Sequence, residues 1–311
     1  MEKTNVTWMS DFYLTELSDL REVQISLFVM ILLIYIVTLA GNGAILLAIG
    51  TDDHLQAPMY FFLSHLSLLD ILCPTVTVPK MLQIILSEDK RISFTGCMLQ
   101  VFFLIDVVST EVFLLAVMAY DRYVAICRPL HYTSIMNKRL CAQLTAGTWL
   151  LGFINSMVHT SLTFSLSFCG LSKVNQYYCD LHPVMSLSCS STFLSELVVL
   201  LVAGAVGGAA FLVTLISYIY IISAILNLPS AESRQKAFST CGSHLTVVCL
   251  FYGAAISTYA RPASTYSQTH VRIISMLYGV VTPMLNPMIY SLRNKEVKKA
   301  LVKELCLKLF L

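Results

Sequence analysis

Seven long apolar segments, separated by short polar stretches, set the pattern of hydrophobic and polar residues along this chain. They cover residues 25–49, 59–79, 92–120, 140–168, 197–228, 237–260 and 273–292. The second contains Asp70, the third contains Asp106 and Glu111, and the others contain no Asp, Glu, Lys or Arg. A run of about 20 apolar residues is long enough to cross the hydrocarbon core of a bilayer. The pattern therefore predicts an all-α membrane protein, a bundle of seven transmembrane helices.

The composition agrees with a membrane protein. Hydrophobic residues make up 57% of the chain and charged residues 12%, whereas about a quarter of a soluble domain is charged. The basic residues lie at segment ends rather than in a patch with exposed aromatics, so no nucleic-acid partner is expected. After Leu292, basic and apolar residues alternate, which predicts a short amphipathic helix lying on membrane lipid.

The distribution of basic residues predicts the orientation of the chain. With the N-terminus outside, twelve of the twenty lysines and arginines fall on the cytoplasmic side and eight on the other. The first residues lack the pattern of a cleaved signal peptide, and Asn5 opens an Asn-Val-Thr glycosylation acceptor that only an outer terminus could use. We therefore expect an extracellular N-terminus over residues 1–22, a transmembrane domain over residues 23–292 and a cytoplasmic tail over residues 293–311.

The ten cysteines divide by this topology. The four on the predicted outer side, where disulfides can form, are Cys97, Cys169, Cys179 and Cys189. Four cysteines allow three pairings, and the sequence pattern leaves all three open. No cysteine and histidine spacing indicates zinc, and neither a G-x-S-x-G elbow nor an HExxH motif is present. We therefore do not expect an enzyme.

A charged pair at the end of the third apolar segment indicates function. Residues 118–127 read MAYDRYVAIC, and charged side chains at membrane depth are rare and usually paired or functional. Arg122 needs a partner there, and the adjacent Asp121 is the obvious one. The decamer resembles the cytoplasmic end of the third helix of rhodopsin-like G-protein-coupled receptors, and in particular of olfactory receptors.

Further segments carry the same resemblance in the right order. They are Gly41-Asn42, residues 57–70 (APMYFFLSHLSLLD), residues 236–248 (KAFSTCGSHLTVV) and residues 283–299 (PMLNPMIYSLRNKEVKK). Two details depart from the family pattern: His65 stands where Asn is usual, and residues 51–56 lack the customary basic residue. Together the matches span nearly the whole chain.

The resemblance implies a function and a place. It implies an odorant receptor that binds a small volatile, activates a heterotrimeric G protein of the stimulatory olfactory type and raises cyclic AMP. The expected location is the plasma membrane, crossed several times, in the cilia of olfactory sensory neurons. The residues that it assigns to G-protein coupling and switching are Asp121, Arg122, Tyr123, Tyr218, Asn286, Pro287 and Tyr290. It also implies the disulfides Cys97–Cys179 and Cys169–Cys189.

The acids inside the spans need their own explanation. Glu111 shares a helical stripe with Arg122, at steps of three and four, and therefore faces the bundle centre. Asp106 lies about 200° around the helix from Leu104 and points away, toward a neighbouring helix. The resemblance suggests an allosteric sodium ion at Asp70 and Glu111 as the only cofactor. The alternative is that one of the two acids is protonated and hydrogen-bonded.

The predicted ligand site combines stripes on two helices with the pocket position that the family implies, between the third, fifth and sixth helices. Its residues are Leu104, Ile105, Val108, Ser109, Val112, Val202, Val206, Tyr252, Ala255, Ile256 and Tyr259. Leu104 stands where amine receptors carry an Asp, so a charged amine would lack its counter-ion in this pocket. The pocket is apolar with a few hydroxyls, which suits a small uncharged volatile.

Two other functions are weighed against an odorant receptor. A chemosensory receptor of the same kind used outside the nose fits the same residues. A small membrane transporter fits less well, because transporters pair broken helices in two halves, and Gly204–Gly208 has no counterpart elsewhere in the chain.

Overall fold

The computed structural model describes residues 11–17, 20–169, 173–259, 268–293 and 295–309. These residues form a helical bundle with a small sheet at one end. The α-helices are α1 (Arg21–Thr51), α2 (Pro58–Leu86), α3 (Phe94–Cys127), α4 (Tyr132–Ile135), α5 (Lys138–Phe164), α6 (Leu181–Met185), α7 (Phe193–Leu226), α8 (Ala231–Tyr259), α9 (Gln268–Met276), α10 (Thr282–Arg293) and α11 (Lys295–Leu309). A π-helical turn, Leu277–Val281, joins α9 to α10 without interrupting the helical segment.

Each of the seven predicted segments corresponds to one long helical element, so the prediction of seven helices is confirmed. Three segment ends were wrong. The α7 helix ends at Leu226 rather than at residue 228. Residues 92 and 93 belong to a strand, and α3 begins only at Phe94, after Ser93 accepts a hydrogen bond from the backbone N–H of Gly96 at 3.1 Å. The α5 helix ends at Phe164 rather than at residue 168, because the chain turns there toward the disulfide at Cys169.

Three short strands close one end of the bundle, which we call the sheet end. They are β1 (Asp11–Leu14), β2 (Arg91–Ser93) and β3 (Lys173–Val174). The central strand β1 pairs antiparallel with β2 and parallel with β3. Phe12 on β1 is fully buried and packs against the rings of Phe94 and Phe168. The N-terminal strand is thus part of the cover over this end.

Two disulfides hold the long loop between α5 and α7 at the sheet end. Cys97 at the start of α3 is bonded to Cys179, and Cys169 is bonded to Cys189. Both pairings implied by the family resemblance are confirmed. Gln100 supports the arrangement, since its side chain accepts from the N–H of Cys179 at 2.8 Å and donates to the carbonyl of Val76 at 2.9 Å.

The α3 helix lies at the centre and contacts α2, α5, α7 and α8. The bundle turns large apolar side chains outward, for example Leu33 on α1 and Leu200 on α7, which are 57% and 70% exposed. Such an apolar exterior would be unfavourable in water and matches the hydrocarbon of a bilayer. Within the described residues, α1, α2, α3 and α7 are long and apolar enough to cross a membrane.

The predicted tail helix is confirmed as α11, at the opposite end of the bundle, which we call the tail end. Val297 and Ala300 are buried against the bundle. Lys303 lies 3.8 Å from the carboxylate of Asp52, in the turn after α1. The tail helix therefore docks on the α1–α2 turn, and its position on membrane lipid stays a prediction.

Candidate functional site

The Asp121 carboxylate at the tail end of α3 is held by a tyrosine from the following turn. The phenol of Tyr132, on α4, donates to Asp121 Oδ1 at 2.9 Å. Burial raises the pKa of Tyr132, and the Asp121 carboxylate raises it further, so the phenol stays neutral and keeps its proton to donate. The expected pairing of Asp121 with Arg122 was wrong: within the described residues no acid lies within ion-pair distance of Arg122. Adjacent helical residues point about 100° apart, which directs the two side chains to different neighbours.

Arg122 is buried beside a thioether. Its guanidinium contacts the thioether sulfur of Met59, at the start of α2, and its exposed fraction is 9%. Tyr123 next to it is half-buried and packs its ring against Tyr120 and Tyr220. Within the described residues, no ion pair to a carboxylate holds the guanidinium in place.

A tyrosine–histidine pair links α7 and α8 at the same depth. Tyr218 Oη lies 2.7 Å from His244 Nδ1, and the two rings stack with centroids 5.8 Å apart. The Tyr218 hydroxyl also lies 3.4 Å from the carbonyl oxygen of Cys241. The sequence reasoning picked out Tyr218 but missed His244, although His244 lies in the KAFSTCGSHLTVV segment. The available signal was a histidine inside the mostly apolar sixth segment, the segment that follows the one containing Tyr218.

The predicted switch residue Asn286 ties the last long helix to α2. Its amide donates to both carboxylate oxygens of Asp70, at 2.8 and 3.0 Å, and both side chains are buried. From the other side, Asn42 on α1 donates to the carbonyl of Pro283 at 3.0 Å. Pro287, one residue after Asn286, packs against Gly41, where an added Cβ would come within 3.3 Å of its ring. Polar contacts thus join three helices around Asp70, and the α10 helix continues through Pro287.

Glu111 has a separate partner in the same interior. The phenol of Tyr278, in the π-helical turn, donates to Glu111 Oε2 at 3.0 Å. Both Glu111 and Asp70 are buried. The Oδ1 atom of Asn286 is buried with no hydrogen-bond partner in the described residues. Carboxylate and amide oxygens are ligands for a hard cation such as sodium, so this oxygen set fits the ion.

The apolar pocket residues predicted on α3 belong to two different apolar clusters, the main core of the bundle and a smaller cluster under the sheet. Leu104 is buried, and Val108 and Val112 pack against the same core. On α7, Val202 and Val206 are half-buried, and Tyr252 on α8 packs edge-on against Phe211 of α7 at 5.1 Å. Ile105 belongs instead to the cluster under the sheet, with Phe164 and Phe168.

Ser109 is engaged by a helix outside the predicted pocket. Its hydroxyl accepts a hydrogen bond from the side-chain amide of Asn155, on α5, at 2.8 Å. The α5 helix therefore borders this part of the site, a neighbour that the sequence reasoning did not include. Four predicted positions lie outside the described side chains: Ala255, Ile256, Tyr259 and Tyr290. Asn5 lies outside the described residues altogether.

Comparison with known proteins shows the family of this chain. A family model described as olfactory receptor matches residues 31–308. The chain is 49% identical to olfactory receptor 1G1 of Gorilla gorilla gorilla over 303 residues, which cover 97% of each chain. It is 48% identical to olfactory receptor 5B21 of Mus musculus over 299 residues, 96% of this chain and 94% of the relative, and 48% identical to olfactory receptor 5B21 of Homo sapiens over 96% of each. The chain therefore belongs to the olfactory receptor family, whose members are seven-transmembrane G-protein-coupled receptors.

Proposed function

We propose that this receptor binds a small uncharged volatile between α3, α7 and α8 and, through Arg122, activates a stimulatory, olfactory-type G protein that raises cyclic AMP. The observation that carries the proposal is the environment of Arg122. It is buried, it contacts the neutral Met59, and within the described residues no acid holds it. Little electrostatic energy then opposes transfer of the guanidinium to carbonyls or carboxylates of a partner that docks at the tail end.

The position and chemistry of the pocket support an uncharged ligand. Leu104, Val108 and Val112 present apolar surface on α3, and α7, which contacts α3, carries the half-buried Val202 and Val206. Affinity in such a site comes from buried apolar area together with one or two hydrogen bonds. Ser109 and Tyr252 supply the hydroxyls. Since Ser109 already accepts from Asn155, it has its own proton to donate to a ligand carbonyl or hydroxyl.

The same proposal includes the orientation in the cell. The sheet end would face outside, because it holds both disulfides, and the tail end would face the cytoplasm, because it holds the basic α11 helix. The site of action would be the plasma membrane of the cilia of olfactory neurons. Asp70, Glu111 and Asn286 would hold a sodium ion, which when bound supplies the positive charge that offsets the two carboxylates.

The experiment is a cyclic-AMP reporter screen of the receptor against a diverse panel of volatiles. For any volatile that activates the wild type, Arg122→Ala should abolish the response at equal surface expression. Arg128→Ala is the matched control, because Arg128 lies just beyond the end of α3 and should leave the response intact. Undiminished signalling by Arg122→Ala would overturn the coupling role.

The pocket is tested with the same active volatile. Ser109→Ala and Tyr252→Phe each remove a hydroxyl without adding bulk, and one or both should raise the half-maximal concentration about tenfold, the value of one hydrogen bond. If neither substitution changed the response to any active volatile, the pocket would lie elsewhere. Replacing sodium in the assay by choline should shift the wild-type response and leave the response of Asp70→Asn unchanged.

A further inference from the structure

One acid inside the membrane has no role in the sites described above. Asp106 lies on α3, 12 residues after the helix begins, which places it about 18 Å from the sheet end of the helix. If the roughly 51 Å of α3 is centred on a 30 Å hydrocarbon core, the carboxyl lies about 8 Å below the nearer edge of that core. Its side chain is half-buried, on the face of α3 that packs against α5. A carboxyl at this depth needs an explanation.

Polar atoms beside Asp106 are left without partners. Its Oδ1 atom is buried and makes no hydrogen bond within the described residues, and the same holds for Oγ1 of Thr110, one helical turn away and 0% exposed. Both side chains flank Gly152 on α5, where an added Cβ would lie 3.1 Å from Asp106 Oδ1. An unpaired polar group in an apolar surrounding is costly, so these atoms favour a ligand that can hydrogen-bond to them.

Within α3 and α5, no lysine or arginine lies at this level. The α3 helix carries its one Lys or Arg residue, Arg122, at the tail end, and α5 carries Lys138 and Arg139 only in its first turn, also at the tail end. A hydrated metal ion would have to cross hydrocarbon to reach a carboxyl at this depth, which is unfavourable. The counter-ion must therefore come with its own apolar portion and arrive through the bilayer.

Aromatic rings lie on the same part of the α3–α5 face as Asp106. Phe102 and Phe103 lie four and three residues before Asp106 and so share its face of the helix. Phe102 packs edge-on against Phe103 at 5.3 Å and against Phe153 of α5 at 5.6 Å. Phe103 and Phe153 are each 47% exposed. Aromatic faces attract organic cations, most strongly where water is excluded.

We propose that Asp106, with the rings of Phe102, Phe103 and Phe153, forms a site on the α3–α5 face that binds a lipophilic amine from the membrane. The ammonium group donates hydrogen bonds to the Asp106 carboxylate, and the hydrocarbon part lies against the rings and the lipid chains. This site is separate from the pocket between α3, α7 and α8, since Asp106 points away from Leu104 and toward Gly152. An amine that finds no counter-ion at Leu104 therefore finds one on the outer surface of the same helix.

The test uses the purified full-length receptor in lipid nanodiscs and needs neither an odorant nor a G protein. Cyclohexylamine, which is protonated at neutral pH, is the probe, and cyclohexanol is the neutral compound of matched shape. Binding is measured by the concentration-dependent rise of the thermal unfolding midpoint. The wild type should be stabilised by cyclohexylamine and not by cyclohexanol. Asp106→Asn should weaken amine binding about ten- to a hundredfold, as expected for loss of a charged hydrogen bond.

Two further variants separate this site from others. Glu111→Gln changes another acid of α3, one that faces the bundle centre, and should leave the rise of the midpoint with cyclohexylamine as large as in the wild type. Phe103→Leu removes one lipid-exposed ring and should weaken amine binding severalfold without abolishing it. Equal stabilisation by cyclohexanol, an unchanged response in Asp106→Asn, or a loss confined to Glu111→Gln would each overturn the proposal. Since no signalling is measured, failure here leaves the proposed odorant response untouched, and the reverse also holds.

Discussion

Acids occur in two different surroundings within the membrane part of this receptor. At the bundle centre, Asp70 and Glu111 are buried, and each receives a hydrogen bond from the last long helical segment, from Asn286 and Tyr278 respectively. On the α3–α5 face, Asp106 is half-buried and receives none within the described residues. The central acids are thus matched by donors from within the protein, whereas Asp106 is not.

This difference distinguishes acids that join helices from an acid that has no donor of its own. A buried carboxylate stabilises a packing arrangement only if the donors that replace water are themselves held in place. Around Asp70 those donors come from a helix that also contacts α1, so this acid helps to hold three helices together. Asp106 lies against Gly152 without such a donor in the described residues, which is why the amine proposal places its partner outside the protein.

The largest effect is expected at the point where α3 and α5 approach most closely. Gly152→Ala would place a methyl group against Thr110 Oγ1 and 2.9 Å from the carbonyl oxygen of Asp106. The helices would have to separate, at a cost of about 1–3 kcal/mol or more, and the thermal unfolding midpoint should drop. Gly147→Ala on the same helix is the control, because nothing lies within 4 Å of the added carbon. Equal midpoints for the two variants would contradict the close packing.

A slightly smaller loss of stability is expected when Asp70 loses the hydrogen bonds that it accepts from Asn286. Asn286→Leu leaves Asp70 without the two hydrogen bonds of the amide and should cost about 1.5–3 kcal/mol of stability. A double-mutant cycle with Asp70→Leu, measured in sodium-free buffer, isolates this pair. Strictly additive losses would mean that the contact contributes nothing.

The bond from Tyr278 to Glu111 should matter less, because one hydroxyl is involved. Tyr278→Phe removes it without changing packing and should cost about 1 kcal/mol. The same substitution in a Glu111→Gln background should cost less, since the acceptor is then neutral. A loss of equal size in both backgrounds would point to packing rather than to the hydrogen bond.

The smallest effect on stability is expected at Asp106. Asp106→Asn removes a carboxyl that has no partner among the described residues, so the unfolding midpoint should change by no more than the equivalent of about 0.5 kcal/mol. A fall as large as that of Asn286→Leu would show that Asp106 is held within the protein after all. The comparison between the two kinds of acid would then fail.

The local sequence pattern predicted the helices reliably, but it predicted the partners of individual side chains only in part. The spacing of Glu111 and Arg122 predicted their shared, buried stripe, and the angle from Leu104 predicted that Asp106 faces a neighbouring helix; both hold. The pairing of Asp121 with Arg122 failed because nearness in sequence was taken for nearness of side chains. The partner of Asp121 is Tyr132, 11 residues later, which only the turn after α3 brings into reach.

The sequence by itself determined the membrane-spanning helices and the family, because the lengths of the apolar segments and the order of the motifs follow directly from the order of the residues. It could also state which cysteines share a side, while their pairing came from resemblance. Only the tertiary structure decided which polar side chains meet, His244 with Tyr218, Asn155 with Ser109 and Asn286 with Asp70, and that Asp106 lies against Gly152. These contacts join residues tens to hundreds of positions apart. They depend on the rotation and depth of each helix against its neighbours, and side-chain packing between helices sets both.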